Sequence, residues 1–120
     1  MFHIFKDQNE RIAYGGTAFI ELQYCKLKAG TRLNKIVALR SIRHWQDNSL
    51  YVYVTDIDNF LDQYHDIFQG VDCSGINYYS PNQLNEIVAK LESKKPVDYS
   101  VLLEWLKQGI EHNGIYILGI

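Results

Sequence analysis

Residues 50–68 read Leu50-Tyr51-Val52-Tyr53-Val54-Thr55-Asp56-Ile57-Asp58-Asn59-Phe60-Leu61-Asp62-Gln63-Tyr64-His65-Asp66-Ile67-Phe68, and the apolar pattern changes period within them. Leu50 to Val54 is β-branched and aromatic, which favours a strand. From Thr55 onward Ile57, Phe60, Leu61, Tyr64, Ile67 and Phe68 follow the i, i+3, i+4, i+7 rule of an amphipathic helix. Thr55-x-x-Asp58 can cap that helix and Gly70 can end it. Just upstream, Ile36 to Trp45 is rich in strand formers, and Gln46-Asp47-Asn48-Ser49 is a turn-forming tetrad. The sequence therefore predicts a hairpin from 36 to 54 leading straight into a helix.

The pattern downstream continues in alternation. Ile76-Asn77-Tyr78-Tyr79 is a short strand. Ser80-Pro81-Asn82-Gln83 combines a capping serine, a proline at the first helical position and a glutamine at the third. Leu84, Ile87, Val88 and Leu91 then form an apolar stripe as far as Lys94-Lys95-Pro96. Asp98 or Ser100 starts another helix, with Leu102, Trp105, Leu106 and Ile110 inward, and Asn113-Gly114 stops it. Ile115 to Ile120 is apolar on both faces, as for a strand covered on both sides or docked centrally in a sheet.

Upstream, Phe2-His3-Ile4-Phe5 alternates as a strand, Asp7 to Glu10 reads as a polar turn, and Arg11 to Tyr14 as the returning strand, broken by Gly15-Gly16. Residues 17–29 fit two templates: a helix capped by Thr17 and ending at lysines and Gly30, or a strand in which Ile20, Leu22 and Tyr24 alternate. The helix is preferred. The expected architecture is a single α+β domain over 1–120, a sandwich with a mainly antiparallel sheet and about three to four helices.

At 120 residues, with 47% hydrophobic and 22% charged residues and two prolines, the chain suits one core and is too apolar for a disordered tail. It has no apolar run near the ~20 residues of a membrane span, and Met1 to Lys6 lacks signal-peptide character, so a cytoplasmic protein with no membrane partner is expected. Cys25 and Cys73 are too few and too far apart for a disulfide scaffold, and are expected as free, partly buried thiols.

The net charge of −2 conceals a division: residues 1–50 carry eight Lys or Arg against four acids, and residues 51–120 carry four against ten. Lys26, Lys28, Arg32, Lys35, Arg40 and Arg43 occur with no acid between them. Asp56, Asp58, Asp62, Asp66 and Asp72 follow with no base among them. On a helix, Asp58, Asp62 and Asp66 would stack along about 12 Å of one outer face. Their mutual repulsion is left unrelieved, whereas Glu86 with Lys90 and Glu104 with Lys107 are balanced. Helix-dipole complementarity accounts for Asp56 and Asp58 but not for Asp62 and Asp66. Such a ridge, flanked by Tyr51 and Tyr53 as aromatic anchors, suits capture of a basic protein.

The basic block 26–46, with Trp45, supports an alternative: a small nucleic-acid- or ligand-binding domain. Nucleic acid is disfavoured by the acidic second half and by the lack of any RNA-recognition, KH or zinc-finger spacing. His3, His44, His65 and His112 have no metal-ligand spacing, and Asp62-x-x-His65-Asp66 is the nearest approach to one. No G-x-S-x-G is present, and neither cysteine has an identifiable base. No cofactor, metal or catalytic residue is expected, and the protein is read as a non-enzyme.

The five aspartates, the single α+β domain and the lack of a catalytic signature together resemble, at the level of class, the small acidic immunity proteins of bacterial toxin systems, including contact-dependent growth inhibition and related polymorphic toxins. The ending Ile110 to Leu118 also resembles the terminal helix, turn and buried strand of barstar-like ribonuclease inhibitors, a likeness confined to those residues. The resemblance implies a protein that binds one cognate toxin domain, often a nuclease with a cationic active site, and blocks it by charge complementarity. The residues assigned to that contact are Asp56, Asp58, Asp62, Asp66, Asp72, Tyr51 and Tyr53.

Overall fold

A computed structural model describes residues 1–120. Its elements in chain order are β1 (Phe2–His3), α1 (Gln8–Gly15), β2 (Phe19–Tyr24), α2 (Leu33–Ile36), β3 (Leu50–Tyr53), α3 (Ile57–Tyr64), β4 (Ile76–Tyr79), α4 (Pro81–Lys94), α5 (Tyr99–Gln108) and β5 (Ile115–Leu118), with single 3-10 turns at Leu39–Ser41 and Val54–Asp56. The strands form one antiparallel sheet in the order β1-β3-β2-β5-β4. This is the α+β class expected, with five helices instead of three to four.

The second half holds the elements its pattern predicts, although Thr55 does not cap α3, α3 ends at Tyr64 well before Gly70, and Ile110 lies exposed beyond the end of α5. Ser80 caps α4 with a full capping box, its side chain meeting Gln83 N while Gln83 Oε1 accepts from Ser80 N. Gly114 adopts φ +88°, and a Cβ there would collide with the Tyr79 carbonyl oxygen of the neighbouring strand, so only glycine turns the chain into β5. β5 lies between β2 and β4, and all four of its residues are buried.

Three expectations fail in the first half. Residues 8–15 form helix α1, not a turn and returning strand, because Asp7 accepts from Glu10 N at 2.9 Å and so acts as an N-cap. Residues 19–24 form a strand, not a helix. With partners on both sides, Ile20↔Val52 and Leu22↔Ile117 among them, β2 is the centre of the sheet, and pairing overrides the lysine-and-glycine ending that favoured helix. The hairpin from 36 to 54 does not form: β3 pairs with β2 and β1, and residues 33–41 make two short helical turns. Alternation explains this, since one face of a strand here would join Arg40 to Ile36 and Ala38, and the other Arg43 to Val37 and Leu39.

Alternation along β2 and β3 sorts the two faces. Ile20, Leu22, Leu50 and Val52 join Ile115 and Ile117 against α3, α4 and α5, forming a core around Phe60, Tyr64, Leu91, Leu102 and Trp105. On the opposite face lie Phe19, Glu21, Gln23 and Tyr51, covered by α1 and by the long connection from 25 to 49. Cys25, Ile36, Tyr116 and Leu118 form a small second core beneath that connection. Both cysteines are free, Cys25 buried and Cys73 partly so, and burial pushes the Cys73 thiol up. No helix is long and apolar enough to cross a membrane.

Candidate functional site

The acidic ridge is shorter than its spacing suggests. α3 ends at Tyr64, so Asp58 and Asp62 stand one turn apart on it, both exposed, while Asp66 lies in the turn beyond. There Asp66 pairs with Lys94 of α4, and Lys90 donates to its backbone carbonyl at 3.3 Å. Asp72 is spent locally: its Oδ1 accepts from Ser74 N at 2.9 Å and Ser74 Oγ at 2.8 Å, closing the turn into β4. Asp56 is half-buried in the 3-10 turn that leads into α3. Of the five, only Asp56, Asp58 and Asp62 have neither an ion pair nor a side-chain hydrogen bond.

The two tyrosines do not flank this ridge. β3 directs Leu50 and Val52 toward α3, so Tyr51 and Tyr53 face the other side of the sheet. Tyr51 is buried there and donates to the Gln46 carbonyl at 2.9 Å. Tyr53 packs edge-on to Tyr14, with centroids 5.3 Å apart, and against Phe19. The sequence brings the tyrosines next to the acidic helix, but a period of two sends them to the opposite face.

The partners of Asp66 and Asp72 fix a pH dependence. The Lys94 ammonium first, and the Ser74 backbone N–H first, hold the two carboxyls below their ordinary value of 3.8. A carboxyl depressed in the folded state adds stability above its unfolded value and loses it as pH falls through the folded value. Asp66→Asn and Asp72→Asn should therefore each flatten the decline in stability below pH ~4. Urea unfolding between pH 2 and 6 checks this, and an unchanged acid limb in both variants would contradict it.

On the opposite sheet face the structure assembles a group that motif reading missed. Glu21 is fully buried at the centre of β2. Its Oε2 accepts from Gln46 N at 2.8 Å and Ser49 Oγ at 2.7 Å, with the Tyr51 hydroxyl at 3.4 Å. Its Oε1 has no hydrogen-bond partner. Gln23, two residues along, donates to the Arg43 carbonyl at 2.6 Å, and Gln46 Nε2 donates to the same oxygen at 2.9 Å. From the core side, Trp105 Nε1 donates to the Asn48 carbonyl at 2.7 Å. Segment 43–49 is thus held from below at several points. The one legible signal was Glu21 and Gln23 alternating with Ile20 and Leu22, which puts two polar side chains on one face of a central strand.

The segment carries strain. Trp45 and Asn48 adopt φ of +55° and +66°, two of four non-glycine residues in the left-handed region. Asparagine tolerates this; tryptophan does so rarely. Trp45 is held by the buried Arg11 guanidinium 4.3 Å from its ring centre and by His44, stacked on it with ring centres 4.8 Å apart. Arg11 itself is anchored, donating through Nε to Gln8 Oε1 at 2.6 Å and also to the Gly16 carbonyl.

All six cations of the 26–43 block are exposed, and none forms a salt bridge. With α3 on the other side of the sheet, the chain's acidic and basic patches do not pair with one another. Leu39, 79% exposed, and Leu33, 63% exposed, lie among the cations. Nowhere do three His, Cys, Asp or Glu side chains gather as for a metal ion, and His65 Nδ1, just past the end of α3, lies 2.8 Å from the Leu61 carbonyl. Compared with known proteins, the chain matches no family model, no curated protein and no solved structure.

Proposed function

We propose that this is a non-enzymatic immunity protein that binds and neutralises a cognate bacterial toxin domain through the outer face of α3. The observation that supports it is the pair Asp58 and Asp62, exposed, one helical turn apart and without an ion pair, in a chain whose six cations of the 26–43 block are unpaired too. Repulsion at i, i+4 costs a few tenths of a kcal/mol, which an internal lysine would have removed. A cation-rich partner relieves it instead. The contact set is Asp56, Asp58 and Asp62; Asp66, Asp72, Tyr51 and Tyr53 serve the fold.

Exposed carboxylates of this kind steer a basic partner and set the register of the complex, and salt weakens both effects. The test is binding, by titration calorimetry, to any toxin domain that sequencing finds encoded by a neighbouring gene. Asp58→Lys with Asp62→Lys should weaken the complex by more than about 2 kcal/mol, roughly 30-fold, with an unchanged circular dichroism spectrum. Asp72→Asn, outside the contact set, should leave affinity unaltered. Equal affinity of the double lysine variant would remove α3 from the interface.

A further inference from the structure

We infer that the cleft between the end of β2 and the wall 41–49 is a binding site for a small phosphomonoester, independent of the acidic face of α3. The cleft has a volume of about 220 Å³. Lys26, Ser41, Arg43 and Asn48 line it, and their side chains take part in no hydrogen bond or ion pair of the fold. Two cations and two neutral donors match the terminal oxygens of a phosphate dianion.

The walls are fixed before any ligand arrives. Arg43 is pinned at its carbonyl by Gln23 and Gln46, and Asn48 at its carbonyl by Trp105. The left-handed backbone at Trp45 and Asn48 lies in this same wall, where strain held by surrounding contacts is characteristic of a ligand clamp. Gln23 is 4% exposed and lines the cleft; its amide nitrogen is used and its Oε1 accepts no hydrogen bond, which leaves an acceptor for a ligand hydroxyl.

Two carboxylates stand near. Asp47 lines the cleft but accepts from Gln8 Nε2 at 3.3 Å. Glu21 does not line it, and its Oε2 is capped by Gln46 N and Ser49 Oγ, both from lining residues. The unpaired Lys28, Arg32, Lys35 and Arg40 of the same connection do not line the cleft and add only a diffuse positive field. At about 220 Å³, below the ~300 Å³ at which drug-sized sites begin, the cleft matches a phosphate with a body of a few carbons.

Titration of the intact chain with glycerol 3-phosphate at low salt, followed by amide NMR shifts, tests the site. Saturable shifts confined to Gln23, Lys26 and residues 41–49 are expected below about 10 mM. Arg43→Gln should weaken binding about tenfold, because it removes a charge-assisted contact, while Lys35→Gln, an equal charge loss outside the cleft, should change it less than about twofold. A single-stranded oligothymidine separates polymer phosphate from the free ester. The inference is overturned by absent saturation, by shifts spread over residues 28–40, by equal losses in the two variants, or by an oligonucleotide that binds where glycerol 3-phosphate does not.

Discussion

Trp105→Ala lowers the unfolding free energy by about 3–5 kcal/mol, the range for removing a buried aromatic from a packed core. Trp105 is 2% exposed, stacks on Tyr24 with ring centres 4.3 Å apart and belongs to the core between the sheet and α3–α5. It also ties the two sides of the molecule together, since its Nε1 supports the Asn48 carbonyl from beneath the cleft wall. Trp105→Phe separates the two contributions: it keeps most of the packing and loses the N–H, for a cost of about 1–2 kcal/mol. Urea unfolding followed by circular dichroism measures both. A loss below about 1 kcal/mol in the alanine variant would contradict the packing described.

The second large effect belongs to Glu21. Glu21→Ala removes the acceptor of Gln46 N and Ser49 Oγ and leaves a cavity at the centre of the sheet, so a loss of about 3 kcal/mol is expected. Glu21→Gln behaves differently. Its carbonyl keeps both donors, its NH2 takes the position of the unpartnered Oε1, and a buried charge disappears; stability should stay within about 1 kcal/mol of the parent. The pair is decisive because the two variants share the loss of charge and differ in the acceptor. Amide NMR shifts should move through 43–49 in the alanine variant and stay in place in the glutamine variant. Equal losses in both would show that the charge, not the clamp on residues 46 and 49, is what the fold requires.

The candidate contact surface was partly legible before folding. Asp58 and Asp62 are where helical spacing put them, because i, i+4 neighbours share a face whatever the helix packs against. Asp66 was misplaced because α3 ends at Tyr64, and only the approach of α4 brings Lys94 to it. Asp72 looked like part of a charge run and is a turn residue, its carboxylate spent on Ser74 two positions on. Tyr51 and Tyr53 were assigned by closeness along the chain, and the pleat of β3 turns them away.

Local chemistry in the sequence alone determined the second half of the molecule: the Ser80 capping box, the stripes of α3, α4 and α5, the Gly114 turn and the doubly buried β5. Each depends on residues within a few positions of one another, and no distant partner opposes them. Tertiary structure decided the first half beyond β1 and α1, the latter started by the local Asp7 cap. Residues 19–24 are strand because β3 and β5 offer edges on both sides, and residues 33–45 are not strand because either face would carry an arginine into an apolar layer. The Glu21 clamp and the cleft above it join groups from residues 21–49 with support from Trp105, and pairings so distant in the chain leave no periodic trace in the sequence.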